Sequence, residues 1–309
     1  MFDLREIAVS LTFFVLLYCS ISAFVAVMWR SLQFLRLREK SVADLLFALR
    51  VIPLAASVAL TFIFVVPSFQ IFEPRSIDEG MGSTPLALGL CALVLIACGC
   101  YRVITAQTKT SRVVARWLEG ADPMDADSQT VTFRARREAP PLTLVGVRRP
   151  RVLVSESTVA LLSREELQIA LKHEIAHMQS HDNLKKLIFR LCPFPGMAAL
   201  ETAWGQAAEL AADDAAVSTQ GDAVDLAAAL VKLSRLVPVT AAPVCTVGFV
   251  SGSLRNRVAR LLEWNSASAG AQVRFWYAVP PVLTTLTVMF VSYSPVLRFT
   301  HTLTEWLVR

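Results

Sequence analysis

The residues of this chain best suited to chemistry are two histidines four positions apart with a glutamate beside the first. They are His173, Glu174 and His177, in LKHEIAHMQSHDNL. On a helix, positions i and i+4 lie one turn apart on one face, so both imidazoles can reach a single ion. Glu174 then stands beside that ion, placed to take a proton from an activated water. H-E-x-x-H on a helix is the pattern of a zinc peptidase centre. Such a centre needs three protein ligands and one open position. One helix face cannot wrap a tetrahedral ion, so the third ligand is expected from another helix. The segment AAELAADDAAV has good helix propensity and presents Glu209 and Asp213 at i and i+4. In that arrangement Glu209 is the third ligand, and Asp213 holds a ligand histidine by its second ring nitrogen. Taken alone, the two acids would read as a solvated helix face; their place after H-E-x-x-H is what singles them out.

His181 is the rival ligand. On a continuous helix it would lie about 12 Å along the axis from His173, too far for all three histidines to share an ion. It reads instead as a polar residue near a helix end, where an imidazolium suits the dipole. A single catalytic Zn2+ would lower the pKa of a bound water toward about 7. Glu174 would serve as general base and return the proton to the leaving amine. The carbonyl oxygen gains negative charge and needs a positive partner. Arg255 and Arg257, in SLRNRVARLLEW, are the candidates, with Arg257 taken as the catalytic one. Arginines on an amphipathic helix also commonly face water or lipid head groups.

The elements around these residues are set by hydropathy. The chain has 309 residues, of which 54% are hydrophobic and only 18% charged, with a mean hydropathy of +0.51. A soluble domain is about a quarter charged. The apolar excess falls in blocks, which reads as an N-terminal membrane region, 1–106, with spans at about 7–29, 51–72 and 85–105. A fourth span is expected at about 275–296, within 273–309, followed by a short extracellular tail. The first block is longer than a signal-peptide core and has its basic flank on the wrong side, so it reads as a retained span. Basic residues in 30–50 and after the third span, against an acidic 73–79 loop, put the catalytic region on the cytoplasmic side of a cell (inner) membrane.

The region 107–272 reads as α+β. Strands are expected at 130–133, 142–147 and 151–154, after a loop at 121–128. Ser163 and Glu166 form a capping box that opens the H-E-x-x-H helix. Further helices are expected at 200–218, 222–236 and 253–264. The six cysteines include no C-x-x-C pair, so neither a thiolate zinc site nor a disulfide framework is indicated. A net charge of +5, carried largely by loops beside the apolar blocks, gives no nucleic-acid signal.

Three stretches resemble the membrane-embedded zinc metallopeptidases of the beta-lactam sensor-transducer (BlaR/MecR) type. RRPRVLVSESTVALLSREELQIALKHEIAHMQSHDNL is similar to that family's strand, capped helix and H-E-x-x-H-x-x-x-x-D-N-L pattern. ELAADDAAV is similar to its glutamate-ligand motif, with Ala212 where many members have cysteine, and LRNRVARLL to its later helix. The resemblance implies a gluzincin fold, a cytoplasmic site beside the membrane and an edge strand near 151–154 that pairs with an extended substrate. The sensor members carry a large extracellular domain after the last span; only a short tail follows Val296, so beta-lactam sensing is not expected. The Ste24/HtpX-like proteases are a more distant likeness, but they place spans between the two ligand motifs. Here 187–204 holds Arg190, Pro193, Pro195 and Glu201, and is expected to be an interfacial segment.

The expected activity is therefore an integral-membrane zinc endopeptidase. Its partners would be the lipid bilayer and a cytoplasmic or juxtamembrane protein substrate, a transcriptional repressor among the options. The alternative is a non-enzymatic signalling or scaffold protein with a structural metal site, which would not need an acid at Glu174. A transporter is disfavoured because the spans hold almost no ionisable residues.

Overall fold

The computed structural model describes residues 4–34, 38–72, 82–124, 132–135, 139–236, 251–265, 284 and 292–308. Three described helices are long and apolar enough to cross a membrane. The first, α1, is Leu4–Met28, extended by a tight turn Trp29–Phe34. The second runs as α2, Glu39–Leu60, through a π turn, Thr61–Val65, into α3, Val66–Phe72. The π turn answers to Pro67, which has no N–H to offer the carbonyl four residues back. That carbonyl, on Ile63, accepts a hydrogen bond from the Tyr293 hydroxyl at 3.4 Å instead. The third, α4, is Ser83–Leu118.

The second helix starts twelve residues before the span expected at 51–72, so part of the supposed basic loop is helical. Its charges are accommodated individually. Lys40 is exposed, Asp44 pairs with Lys185 at 3.0 Å, and Arg50 is buried with a carboxylate partner. Most of the expected span 275–296 lies outside the described residues. A helix here numbered α11, Tyr293–Val308, carries helical structure beyond Val296.

The sheet has four strands: β1 Asp122–Met124, β2 Thr132–Ala135, β3 Leu142–Val145 and β4 Arg151–Ser155. Their order is β1-β2-β4-β3, with β2 and β4 parallel and both outer pairs antiparallel. Two expectations change. A short strand, β1, occupies part of the predicted loop. The strand at 151–155 is interior, paired on both sides, so it has no free edge; the edge strands are β1 and β3. Gly146, at φ +89°, turns β3 into β4, and a Cβ there would meet the Arg149 carbonyl oxygen at 2.8 Å.

Helix α5 is Glu156–Leu161, and α6, Arg164–Gln179, carries the H-E-x-x-H. The Ser163–Glu166 capping box forms, and Lys232 donates to Glu166 at 2.7 Å. Of the buried positions of α6, Glu166, Ile169, Ala170, His173, Glu174 and His177 follow the three-and-four spacing of a helix packed on one face, and Ala176 is buried beside them. The chain then breaks at His181, in the left-handed conformation at φ 56°, and α7, Asp182–Leu191, leaves in a new direction. Helices α8, Ala198–Ala216, α9, Gln220–Ser234, and α10, Ser251–Leu262, follow, close to the expected ranges.

Two apolar cores join these parts. Leu142, Leu144, Val152 and Val154 of the sheet pack with Ala170 of α6 and Ala229 and Leu233 of α9. The other core joins the spans to the segment running from α7 into α8: Val25, Trp29, Ala43 and Leu46 pack with Phe189, Met197, Leu200 and Trp204. The segment 187–204 is thus packed against α1, α2 and α4 rather than lying apart from them. Gly99 of α4 permits this approach, because a Cβ there would stand 2.5 Å from the Leu191 carbonyl oxygen.

Candidate metal centre

Helix α6 brings His173 and His177 to one face, and α8 crosses it with Glu209. Their ligand atoms all lie within 4.8 Å of one another, the group among the described residues able to hold a metal ion. The two Nε2 atoms are 3.2 Å apart. Glu209 Oε2 is 3.7 Å from His173 Nε2, and Glu209 Oε1 is 3.6 Å from His177 Nε2. Bonds of about 2.0–2.1 Å to a tetrahedral ion set neighbouring ligand atoms about 3.3 Å apart, so the spacing fits such an ion. Two imidazole nitrogens and a carboxylate oxygen are also a donor set suited to zinc.

Both histidines are turned so that Nε2 faces the common point and Nδ1 faces a carboxylate. His173 Nδ1 is 3.1 Å from Asp213 Oδ1, and His177 Nδ1 is 2.6 Å from Asp182 Oδ2. Asp213 stands where sequence reasoning put it. Asp182 did not emerge from that reasoning. On an unbroken helix it would sit five residues beyond His177, about 140° round the axis, and could not reach it. The break at His181 turns the chain back and brings the carboxylate to the ring. The available signal was the D-N pair after His181. Asn183 donates to the carbonyls of Leu144 at 3.2 Å and Gly146 at 3.1 Å, tying α7 to the edge strand β3. His181 itself is exposed and outside the cluster. The chain break, rather than distance along one helix, removes it.

Glu174 is buried, and its Oε2 accepts a hydrogen bond from the Leu144 backbone N–H at 2.9 Å. The general-base candidate therefore lies between the histidines and the outward edge of β3.

Arg257 is where expectation and geometry part. It is 2% exposed, so it faces neither water nor lipid. Its Nε and one terminal nitrogen donate to the two oxygens of Asp213, at 2.8 and 2.6 Å, and the other terminal nitrogen donates to Glu209 Oε2 at 2.6 Å. These donors are directed at the two acids. Arg255, two residues earlier, is exposed. Arg260, one turn later, pairs with Asp214 through both terminal nitrogens, at 2.7 and 2.9 Å, so α10 grips α8 at two levels.

These contacts set the charge states. Burial favours neutral Glu209, but the His173 hydrogen bond and the His177 and Arg257 charges outweigh it and hold the carboxyl well below the usual range. Asp213 is likewise lowered: burial opposes ionisation and the His173 and Arg257 hydrogen bonds overcome it. Burial disfavours charge on His173 as well, yet hydrogen bonds to Asp213 and Glu209 lift its pKa to about 9. A cation at this point is thus favoured electrostatically, whether proton or metal.

The model of one protein family, described as BlaR1 peptidase M56, matches residues 89–261, more than half of the chain. The match begins in α4, ends in α10 and includes every residue of the cluster. No curated protein matches the chain.

Proposed function

The chain belongs to the BlaR1 peptidase M56 family and is a membrane-associated metallopeptidase; from that premise we propose an integral-membrane, zinc-dependent endopeptidase that hydrolyses peptide bonds of a cytoplasmic or juxtamembrane protein. The observation that carries this reading is the convergence of His173, His177 and Glu209, with His177 Nδ1 hydrogen-bonded to Asp182 and Asp213 Oδ1 3.1 Å from His173 Nδ1. A bound zinc supplies Lewis acidity, polarising the scissile carbonyl and bringing the pKa of water toward about 7. His173, His177 and Glu209 would hold the ion. Asp213 and Asp182 fix the ring tautomers, with the proton on Nδ1. Glu174 takes the proton from the attacking water at its carboxylate and delivers it to the leaving nitrogen.

Arg257 acts here as a positioning residue. By binding one oxygen of Glu209 and both of Asp213, it fixes the ligand and the second carboxylate together. The substrate strand belongs on β3. Leu144 directs its N–H and C=O away from β4, where Glu174 and Asn183 hold them, and Leu142 faces the same side two residues earlier, so a substrate strand on this edge takes the place of those two side chains. A bond laid along that edge passes beside Glu174. A transcriptional repressor is one substrate of the required kind, since it is cytoplasmic.

The test is Glu174→Gln in the purified full-length protein. It should retain zinc and lose peptide hydrolysis by at least about a hundredfold, in line with the contribution of a positioned general base. Wild-type activity in that variant would refute the mechanism. Comparing membranes of the two strains by proteomics then identifies the substrate as the protein that accumulates only with the variant.

A further inference from the structure

Between α7 and α8 the chain makes a short non-helical turn, 192–197, and this turn is wedged among the three apolar helices. The Tyr18 hydroxyl donates to the Pro193 carbonyl at 3.0 Å. Arg50 donates to the Cys192 carbonyl and, at 3.4 Å, to the Phe189 carbonyl. The same guanidinium pairs with Glu201 in the first turn of α8 at 2.8 Å and lies 5.8 Å from the centre of the Phe189 ring. Leu191 and Pro193 rest on Gly99, and Gly196 lies beside Ala26.

Depth follows from the contacts. Tyr18 is midway along the apolar run 7–29, about 16 Å from either end at 1.5 Å per residue. Gly99 is about 10 Å inside the run that ends near residue 106. Arg50 stands at the border of the run 51–72. Ala26, beside Gly196, is only about 5 Å from the end of its run, so the turn extends from the border marked by Arg50 and Ala26 to the level of Gly99 and Tyr18, on the side of the peptidase domain. Irregular backbone survives at that depth only if its polar groups find partners within the protein. Here they do. Arg50 and Tyr18 take the carbonyls that end α7, and Pro193 and Pro195 have no N–H to satisfy.

Arg50 also has a mechanical consequence. It binds the last turn of α7 and the first turn of α8 at once. Helix α7 begins with Asp182, which holds His177, and α8 carries Glu209 and Asp213. One side chain from a spanning helix therefore sets where two helices enter the metal site.

We propose that residues 192–197 form a re-entrant hairpin in the half of the bilayer next to the peptidase domain, and that Arg50, by holding the hairpin, is a positioning residue for the metal site. The second half rests on the reading of His173, His177 and Glu209 as ligands; the first half does not.

The hairpin is tested by thiol labelling of the full chain in open membranes, with all six native cysteines replaced. Pro195→Cys is compared with Glu165→Cys, because both positions lie on the protein surface and protein burial cannot protect either. A membrane-impermeant maleimide should label Pro195→Cys at least about tenfold more slowly, since lipid rather than water covers it. Comparable labelling of the two overturns the hairpin.

The positioning role is tested by zinc affinity, measured by chelator competition on purified wild type, Arg50→Lys and Arg50→Met. The lysine variant keeps the charge and thus the fold, yet cannot reach both carbonyls and Glu201 together. It should bind zinc about tenfold more weakly, as when the support of a ligand is loosened. A loss of thermal stability with zinc affinity unchanged overturns the role. Wild-type protein that binds no zinc removes it too, while leaving the labelling result standing.

Discussion

Asp182→Ala tests most directly how the metal site is held. The carboxylate is buried and 2.6 Å from His177 Nδ1, while its other oxygen is 3.8 Å from Lys185. A hydrogen bond to a charged group contributes about 1.5–3 kcal/mol. At about 1.4 kcal/mol per decade, that range corresponds to roughly 10- to 100-fold in zinc affinity, the usual cost of removing a carboxylate behind a ligand histidine. Asp182→Asn should lose less, because its carbonyl oxygen still accepts from Nδ1–H. The assay is competition against a chromophoric chelator at neutral pH, with thermal unfolding measured on the same samples. Asp214→Asn serves as the control, since Asp214 pairs with Arg260 on the same helix as Glu209 but nearer the surface. It should leave zinc affinity unchanged. Equal affinities for wild type and Asp182→Ala would refute the assignment of Asp182 as the partner that orients His177.

Arg257→Ala leaves Asp213 and Glu209 buried without their guanidinium, a loss of about 3–5 kcal/mol for a broken buried ion pair; thermal unfolding of the metal-free protein should show it, with Arg257→Lys in between. Gly99→Val forces side-chain atoms against the Leu191 carbonyl, where even a Cβ would stand at 2.5 Å, and should destabilise by about 1–3 kcal/mol, read as a lower melting temperature in detergent. Glu166 has a lowered pKa because, although burial opposes ionisation, the Lys232 and Ser163 hydrogen bonds prevail. Its contribution to stability is therefore full above the unfolded carboxylate range, about 4.3, and is lost as pH falls through the folded value. Glu166→Gln should lower stability at neutral pH and flatten the fall that sets in below about pH 4.3, measured by denaturant titration.

Much of the fold was legible in the chain because its signals are local. The Ser163–Glu166 capping box and the three-and-four burial of α6 follow from positions a few residues apart, and the helix starts where they say. The apolar blocks marked the long helices, but the start of α2 was misplaced because Lys40, Asp44 and Arg50 were read as a loop. A charge on a helix becomes tolerable when its partner comes from elsewhere, and Arg50 finds Glu201, 151 positions away. The interior position of β4 was equally hidden: its hydrophobic residues suit either an edge or a centre, and only strand order decides which.

For the metal centre the division is similar. Helical periodicity by itself determined that His173 and His177 share a face with Glu174 between them, and that Glu209 and Asp213 form a second such pair. What tertiary structure decided is where those faces meet and what stands behind them. The left-handed residue at His181 redirects α7 so that Asp182 reaches His177, and the packing of α10 on α8 buries Arg257 against two acids. The wedging of the α7–α8 turn among the spans ties the site to the membrane helices. Spacing along one helix is set by the geometry of a single backbone. The meeting of separate elements depends on the direction of each turn and on packing between residues far apart in the chain, which no local pattern encodes.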